Sequence, residues 1–259
     1  MKKRPFVAGN WKMNLTLPET RNWMTEVLRA APGLTEADMV VLPPFTVLTE
    51  ASRIAAGTSL SLGAQNLHGE DRGAFTGEIS GPMIADTGCR YVVVGHSERR
   101  QGFGETDVIV RDKIAAALRS NLRPIVCVGE TLVQREAGRT RDVIETQLNG
   151  GLVGFSADEL GRLILAYEPI WAIGTGRTAT PDQAQEVQAS IRSCLEEKIG
   201  KTAAPYAIIL YGGSVKPANA YALFRKRDID GFLVGGASLE AASFIEITRE
   251  SIRAYKEVN

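Results

Sequence analysis

Short apolar runs, separated by segments rich in polar residues, glycine and proline, recur along the whole chain. The centre of each run is apolar without alternating polar positions. This pattern is typical of parallel strands that are covered on both faces, because neither side of such a strand meets water. Eight runs follow it: PFVAGNWK from Pro5, MVVLPP from Met39, LSLGAQN from Leu60, YVVVGHSE from Tyr91, PIVCVGE from Pro124, LILAYEP from Leu163, YAIILYGG from Tyr206 and GFLVGG from Gly231.

Several segments between the runs carry apolar residues at helical spacing. The clearest begins at Thr180, a typical N-cap, with Pro181 at the first helical position and Gln183 placed to complete a capping box. Its apolar side chains follow the helical period until Gly200, which suits a C-cap. Further helices are predicted near residues 114–118, 219–224 and 245–255.

The alternation of strands and helices predicts the fold. Eight strand-then-helix units within 259 residues match the size of a (β/α)8 barrel, so we predict an α/β protein with a closed, parallel, eight-stranded sheet and outer helices. An open, doubly wound sheet is the alternative, since the number of strands alone does not separate the two. We see no low-complexity linker, which predicts a single barrel domain over residues 1–259.

Composition and charge disfavour several classes of function. Thirty basic residues balance thirty acidic ones, so no overall field attracts nucleic acid or an anionic membrane. Two histidines are too few for a histidine-rich metal site, and three widely spaced cysteines suit a reducing compartment. No long apolar stretch follows the first residues or approaches the length of a membrane span, so a cytoplasmic location is expected.

Unusual polar residues and glycine pairs follow five of the predicted strands. They are Asn10 and Lys12 after the first strand, His96 and Glu98 after the fourth, Glu168 after the sixth, Gly212-Gly213-Ser214 after the seventh and Gly235-Gly236 after the eighth. In a closed barrel the carboxyl ends of the strands share one rim, where ligand chemistry is placed. The sequence therefore predicts one functional site to which distant segments contribute.

Five motifs carry a resemblance to a known family. They are AGNWKMN at residues 8–14, VVGHSERR at 93–100, AYEPIWAIGTG at 166–176, LYGGSV at 210–215 and LVGGASL at 233–239. In this order they resemble the triosephosphate isomerase family, in register with all eight units. The resemblance implies an isomerase that interconverts dihydroxyacetone phosphate and D-glyceraldehyde 3-phosphate through an enediolate, in glycolysis and gluconeogenesis, with no metal and no organic cofactor. Arg177 stands where lysine is common in the family.

The resemblance also implies roles for the residues at the strand ends. Glu168 would be the general base that moves a proton between carbons, and a strand end would hold it rigidly. His96 would polarise the carbonyl as a neutral ring, favoured by the helix that we expect directly after it. Lys12 and Asn10 would stabilise charge on an enediolate oxygen, and Glu98 would support Lys12. Taken singly, Glu168 and Lys12 would more often be ordinary surface side chains.

Glycine pairs after the last two strands predict a site for the phosphate group. Bare backbone N–H groups there can face an anion, and a short helix beginning near Ala237 would add its positive end. Many barrel enzymes share this device, so it identifies no substrate by itself. The expected phosphate- and substrate-binding residues are Asn10, Lys12, Gly174, Ser214, Gly235 and Gly236.

The segment after Glu168 predicts a lid. A stiff beginning with proline and tryptophan leads into a permissive Gly-Thr-Gly, as expected of a rigid flap with short hinges whose closure keeps water from the enediolate. The lid residues are Pro169, Ile170, Trp171, Ala172, Ile173, Gly174, Thr175, Gly176, Arg177, Thr178 and Ala179. Cys127 and Glu130 are interpreted as structural support, and His68 as a solvated loop residue.

Residues 66–80, NLHGEDRGAFTGEIS, form a long glycine-rich connection after the third strand. Connections of this length usually have a function or are mobile. Phe75 lies among polar residues, where a monomer would leave it in water, although a disordered surface loop is the simpler interpretation. The resemblance implies a homodimer in which this loop enters a second subunit, with Thr76 near the active site of that subunit.

Two alternatives remain open from the sequence. An isomerase of a four-carbon ketose phosphate would share these residues and differ in pocket volume. A non-catalytic phosphosugar-binding barrel is disfavoured by the intact set of Asn10, Lys12, His96 and Glu168, because a binder needs no base over carbon. The expected partners are a small triose phosphate and a second copy of the chain, and neither nucleic acid nor membrane.

Overall fold

Eight strands pair side by side into a closed barrel in the computed structural model of the chain. The structure describes residues 2–173, 178–202 and 204–259, so four predicted lid residues lie outside the described residues: Gly174, Thr175, Gly176 and Arg177. The strands are β1 (Phe6–Asn10), β2 (Asp38–Leu42), β3 (Leu60–Ala64), β4 (Tyr91–Val94), β5 (Arg123–Val128), β6 (Ile164–Tyr167), β7 (Ile208–Tyr211) and β8 (Gly231–Val234).

Each strand pairs in parallel with its neighbours in sequence, and the ring closes where β1 pairs with β8. An open doubly wound sheet would leave two strands at its edges, so the closure confirms the predicted (β/α)8 barrel over that alternative. Every one of the eight apolar runs coincides with a strand, although β2 and β5 begin one residue before their runs, and the strand prediction is confirmed as well.

Helices follow the strands and form the outer layer. They are α1 (Leu17–Ala30), α2 (Phe45–Ala55), α3 (Gly81–Asp86), α4 (Ser97–Gly102), α5 (Asp107–Arg119), α6 (Leu132–Glu136), α7 (Thr140–Leu152), α8 (Ala157–Gly161), α9 (Pro181–Ile199), α10 (Pro217–Phe224) and α11 (Ala241–Val258). The capping box predicted for α9 is present, with Thr180 Oγ1 accepting from Gln183 N at 3.2 Å and Gln183 Oε1 accepting from Thr180 N at 2.9 Å. Within the described ranges, none of these helices has both the length and the apolar character needed to cross a membrane.

The helix expected near Ala237 is a single turn of 3-10 helix, Gly236–Ser238. The backbone N–H of Ser238 closes it by donating to the carbonyl of Gly235 at 2.8 Å. Three residues align few peptide dipoles, so this turn can offer an anion local N–H groups and little macrodipole. The sequence therefore predicted the position of this helical turn but overstated its electrostatic effect.

The barrel wall divides the apolar core into two layers. A smaller cluster fills the interior of the barrel and includes Phe6, Leu42 and Ile125. A larger cluster lies between the strands and the helices and takes alternate strand residues such as Val7 and Val41. Strand residues are thus buried on both faces, which explains why the apolar runs lack alternation.

A buried ionic network lies before the start of β8. Asp230 Oδ2 accepts from Lys3 Nζ at 2.9 Å, from Arg192 NH2 at 2.7 Å and from the backbone N–H of Ile209 at 2.9 Å. Arg192 also contacts Asp228 at 2.6 Å. These contacts join the beginning of the chain, α9 and the β7–β8 connection at the amino ends of the strands, opposite to the rim on which the predicted site lies.

Candidate active site

A cavity of about 360 Å³ opens at the carboxyl ends of the strands. Its wall includes residues at or after the ends of β1, β4, β6, β7 and β8, and seven of them are predicted catalytic or substrate-binding residues: Asn10, Lys12, His96, Glu168, Ser214, Gly235 and Gly236. The imidazole of His96 and the carboxylate of Glu168 therefore open onto one cavity. A volume of this size suits a small ligand.

Glu168 is held at the end of β6 by its backbone and by both carboxylate oxygens. Its backbone N–H donates to the carbonyl of Val128 at 2.8 Å. Oε2 accepts from the backbone N–H of Ser97 at 2.8 Å, and Oε1 lies 2.8 Å from Nε2 of His96. The side chain is almost fully buried, with 1% of the residue exposed. The sequence did not predict the hydrogen bond from the N–H of Ser97, because every residue except proline has a backbone N–H and the residue type does not show where it points.

His96 is the N-cap of α4, and its ring is held at both nitrogens. Nδ1 accepts from the backbone N–H of Glu98 at 3.2 Å, while Nε2 faces Glu168. Since an N–H donor requires an unprotonated Nδ1, this bond favours the neutral ring with its proton on Nε2. The sequence predicted the neutral ring, but it did not anticipate a carboxylate in contact with Nε2.

Burial and charge act against each other on the Glu168–His96 pair. Burial lowers the pKa of His96, but the neighbouring Glu168 carboxylate outweighs it and leaves that pKa raised. Burial likewise raises the pKa of Glu168, but His96, the N–H of Ser97 and Lys12 outweigh it and leave that pKa lowered. The two groups therefore titrate together, and Glu168 stays ionised in the free protein at neutral pH.

Lys12 lines the cavity and forms an ion pair with Glu98. Nζ of Lys12 is 2.6 Å from Oε1 of Glu98, and its backbone N–H donates to Oδ1 of Asn10 at 3.1 Å. The ammonium also approaches Gly235, where an added Cβ would lie 3.6 Å from Nζ. A cation beside bare backbone at the end of β8 is an arrangement that attracts an anionic group.

The glycines after β7 leave room for the side chain of Glu168 and for Pro169 at the beginning of the predicted lid. A Cβ at Gly212 would lie 3.0 Å from Cγ of Glu168, and one at Gly213 would lie 2.9 Å from Cγ of Pro169. Such contacts are tighter than nearly all real Cβ contacts, so these positions favour glycine. Ser214 follows them and lines the cavity.

The beginning of the predicted lid is anchored by the buried carboxylate of Glu130. Its Oε1 accepts from Trp171 Nε1 at 2.9 Å and from the hydroxyl of Tyr167 at 3.0 Å, and it lies 3.2 Å from NH1 of Arg135. The guanidinium of Arg135 also stacks on Trp171, 4.7 Å from the ring centre. Ile170–Ala172 form a 3-10 turn, and Ile173 lines the cavity.

Two further sequence interpretations bear on the surroundings of the site. Burial raises the pKa of the Cys127 thiol well above its usual value, which opposes a nucleophilic role. His68 is half-buried, with Nδ1 accepting from Glu70 N at 3.0 Å and its ring 4.1 Å from that of Phe75. His68 therefore lies in a loop, as predicted, but is only partly solvated, because the loop folds onto itself.

An apolar surface borders the active site. Met13 is 94% exposed, and Phe103 and Phe45 are also exposed beside it. These residues line a second cavity of about 290 Å³ together with Asn10, Lys12, Gln65, Asn66, His96, Glu98 and Arg99. Phe75 of the loop 66–80 is 44% exposed. Large apolar side chains grouped in this way mark an interaction site more often than scattered ones.

Comparisons with known proteins agree with this geometry. The family model described as triosephosphate isomerase matches residues 5–251. The chain belongs to the triosephosphate isomerase family. A triosephosphate isomerase of Moorella thermoacetica is 55% identical over 245 residues, which cover 95% of this chain and 98% of the relative. One of Chloroflexus aurantiacus is 51% identical, covering 94% of this chain and 97% of the relative.

A solved triosephosphate isomerase structure from Bartonella henselae superposes with a TM-score of 0.86 at 38% identity, covering 98% of this chain and 99% of that chain. As a member of the triosephosphate isomerase family, the chain is an enzyme, an aldose–ketose isomerase of triose phosphates. The family's reaction is a step of glycolysis and gluconeogenesis. The resemblance that the five motifs carry is thereby confirmed.

Proposed function

We propose that this chain interconverts dihydroxyacetone phosphate and D-glyceraldehyde 3-phosphate with Glu168 as the general base. The observation that carries the proposal is the opening of Glu168, His96 and Lys12 onto one cavity. Glu168 removes a proton from the carbon beside the carbonyl and returns it to the neighbouring carbon, so that an enediolate forms between the two steps. Its rigid backbone and desolvated carboxylate suit a base that must act at a fixed distance.

His96 serves the two oxygens of the substrate in this proposal. With its proton on Nε2, the neutral ring donates to the carbonyl oxygen and carries a proton from one oxygen to the other. Lys12 and Asn10 stabilise the charge that develops on the same oxygen. Glu98 orients Lys12 through the 2.6 Å ion pair.

The phosphate lies, in this proposal, at the end of the cavity formed after β7 and β8. Ser214, Gly235 and Gly236 line this end, and the ammonium of Lys12 faces it. Backbone N–H groups bind a dianion without bulky side chains, and the positive charge of Lys12 adds attraction. Gly174 is proposed as a further donor when the lid closes over the substrate from Pro169 to Ala179.

Replacing Glu168 by Asp tests the assignment of the base. The carboxylate retracts by one methylene while its backbone remains fixed, so kcat is expected to fall on the order of a hundredfold or more, with a smaller change in KM. Steady-state kinetics in both directions measures this. Glu246→Asp on the surface of α11 is the matched control and should leave kcat unchanged. An unaltered turnover in Glu168→Asp would refute the role of Glu168.

We further propose that the protein is a cytoplasmic homodimer, in which the loop 66–80 of one copy covers the apolar surface beside the active site of the other. The exposed Met13, Phe45 and Phe103 around the second cavity support this, because a partner loop carrying Phe75 would cover them. Thr76, at the tip of the loop, would then lie close to Asn10 and Lys12 of the second copy.

Sedimentation at nanomolar concentration, run beside an activity assay, tests the homodimer. The wild-type chain should sediment as a dimer, and Phe75→Asp should weaken association and make activity depend on concentration. Val133→Asp, at another exposed apolar position on α6, is the control and should sediment as the wild type does. A monomer that keeps full activity would contradict the proposal.

A further inference from the structure

Lys12 combines an unusual backbone conformation with a demanding side-chain position. Its φ is +52°, in the left-handed region that favours glycine, yet its side chain has to line the active-site cavity and pair with Glu98. A residue with a side chain stays in this conformation only where its surroundings impose it. The peptide groups on both sides of Lys12 must therefore be fixed by contacts from elsewhere in the fold.

Two side chains make these contacts. Oδ1 of Asn10 accepts from the N–H of Lys12 at 3.1 Å. Gln65, directly after β3, donates from Nε2 to the carbonyl of Lys12 at 2.8 Å and to the carbonyl of Leu42 at 2.8 Å. The carbonyl of Leu42 also accepts from the N–H of Trp11 at 3.2 Å. The Gln65 amide thus ties the chain that leaves β1 to the end of β2.

We propose that Gln65 is a positioning residue, which holds Lys12 in the left-handed conformation and so directs its ammonium into the active-site cavity. Gln65 lines the second cavity beside Lys12 and Glu98, and it is not among the described residues that line the active-site cavity. It therefore acts through Lys12 and does not touch the substrate. The inference rests on the proposed role of Lys12 in binding and charge stabilisation.

The chemistry of the contact requires a primary amide of this length. Two carbonyl oxygens are both acceptors, and one NH2 group can donate a proton to each. Methionine has a similar length but no donor, and glutamate offers only acceptors at neutral pH. Asparagine keeps the NH2 group on an arm that is one methylene shorter, so that reaching both carbonyls requires the backbone to move.

A double-mutant cycle between Gln65→Met and Lys12→Ala tests the inference. In the wild-type background, Gln65→Met is expected to lower kcat/KM by about tenfold or more, with KM raised as the ammonium moves from the cavity. In the Lys12→Ala background the same substitution should change kcat/KM by less than about twofold, because no ammonium remains to be positioned. A side chain that only supports the fold would instead cause similar losses in both backgrounds.

Gln185→Met is the matched control. Gln185 also bridges two groups, since Nε2 donates to Oδ2 of Asp228 at 2.6 Å and Oε1 accepts from the N–H of Asp228 at 2.9 Å. This bridge lies at the amino ends of the strands, far from Lys12. The control should shift the urea midpoint and leave kcat/KM unchanged, which separates lost stability from lost positioning.

The possible outcomes decide between the hypotheses. Equal losses in the two backgrounds, or an unchanged kcat/KM in Gln65→Met, would overturn the role of Gln65. An unchanged kcat/KM in Lys12→Ala would contradict the proposed role of Lys12 itself, so the two failures are distinguishable. If Gln65→Met does not fold, Gln65→Asn carries the same cycle. Sedimentation at the assay concentration accompanies every variant, and a loss that only follows subunit dissociation counts against the inference.

Discussion

Glu168 and His96 are joined by a contact of 2.8 Å between Oε1 and Nε2, inside a wall that excludes most of the solvent. The contact lowers the pKa of the carboxylate and raises that of the imidazole. A substrate oxygen that accepts a hydrogen bond from Nε2 of His96 must displace the Glu168 carboxylate from this contact. Glu168 then loses the neighbour that most lowers its pKa and becomes a stronger base.

The acid limb of kcat/KM reports this coupling. A lowered pKa keeps Glu168 ionised to lower pH, while the raised pKa of His96 makes the imidazole the first group of the pair to take up a proton, so the wild-type acid limb should follow protonation of His96. In His96→Gln the contact with the imidazole is gone and burial dominates, so the pKa of Glu168 should rise and the acid limb should then follow the titration of Glu168. Measurement of kcat/KM across the acidic range checks this, at constant ionic strength.

His68→Gln is the control for the pH profile, since it removes the other histidine from the loop 66–80. Its acid limb should coincide with that of the wild type. An identical acid limb in His96→Gln and the wild type would show that the contact does not set the titration of Glu168.

Substitution of Gly129 tests how closely β5 and β6 approach behind the carboxylate of Glu168. A Cβ at this position would lie 1.8 Å from the backbone carbonyl oxygen of Glu168, so Gly129→Ala forces the backbone to move. We expect a loss of stability of about 1–3 kcal/mol or more, and a fall in kcat because Glu168 shifts. Urea unfolding and steady-state kinetics measure the two effects.

Gly33→Ala is the comparison for Gly129, because a Cβ at Gly33 meets no atom within 4 Å. It should leave the urea midpoint and kcat close to those of the wild type. A Gly129→Ala enzyme with wild-type kinetics would mean that the ends of β5 and β6 adapt more readily than their packing indicates.

Substitution of Trp171 tests the anchor at the beginning of the proposed lid. Trp171→Phe keeps a ring beneath Arg135 but removes one of the donors to the buried carboxylate of Glu130. Leaving a buried charge with fewer donors costs about 1–3 kcal/mol, so we expect a lower urea midpoint and a fall in kcat/KM of about tenfold if the anchor positions the lid. Tyr221→Phe removes a hydroxyl from the surface of α10 and should change neither quantity. Wild-type kinetics in Trp171→Phe would exclude this anchor from lid function.

Glu105 forms a buried ion pair with Lys113 that supports the loop 66–80. Its Oε1 is 2.5 Å from Nζ of Lys113 and also accepts from Arg99, while Lys113 donates to Oδ1 of Asn66 at 2.7 Å. Burial raises the pKa of Glu105, but the bonds from Lys113 and Arg99 outweigh it and leave that pKa lowered. The stabilisation that ionised Glu105 gives to the fold is therefore present above the unfolded-state pKa of Glu105 and is lost as pH falls through its folded-state pKa.

Glu105→Gln should lower the free energy of unfolding by about 3–5 kcal/mol at neutral pH, because Lys113 is left buried without its charge partner. The difference from the wild type should shrink in acid, where Glu105 is protonated. Urea unfolding at the two pH values measures both. Glu246→Gln breaks an exposed pair and should cost less than about 1 kcal/mol. A constant difference across pH would contradict the ionic origin of the effect.

Sequence periodicity predicted the eight strands because every strand is buried on both faces, but the closure of the barrel over an open sheet came from the pairing of β1 with β8. Thr180 and Gly200 predicted the ends of α9 correctly, since capping is a local property. The N–H of Ser97, the bridge from Gln65 and the ring contact between His68 and Phe75 were not predicted. These contacts depend on how backbone segments pack together in the fold, which the residue types alone do not specify.

The pairing of β1 with β8 has a consequence for how activity develops during folding. Asn10 and Lys12 come from the first strand and Gly235 from the last, so the wall of the cavity is incomplete until the two ends of the chain meet. Contacts between such distant segments form slowly, because a long loop must be ordered before they are made. Recovery of turnover after dilution from denaturant should therefore trail the recovery of helical signal, and an isolated half of the ring should be inert.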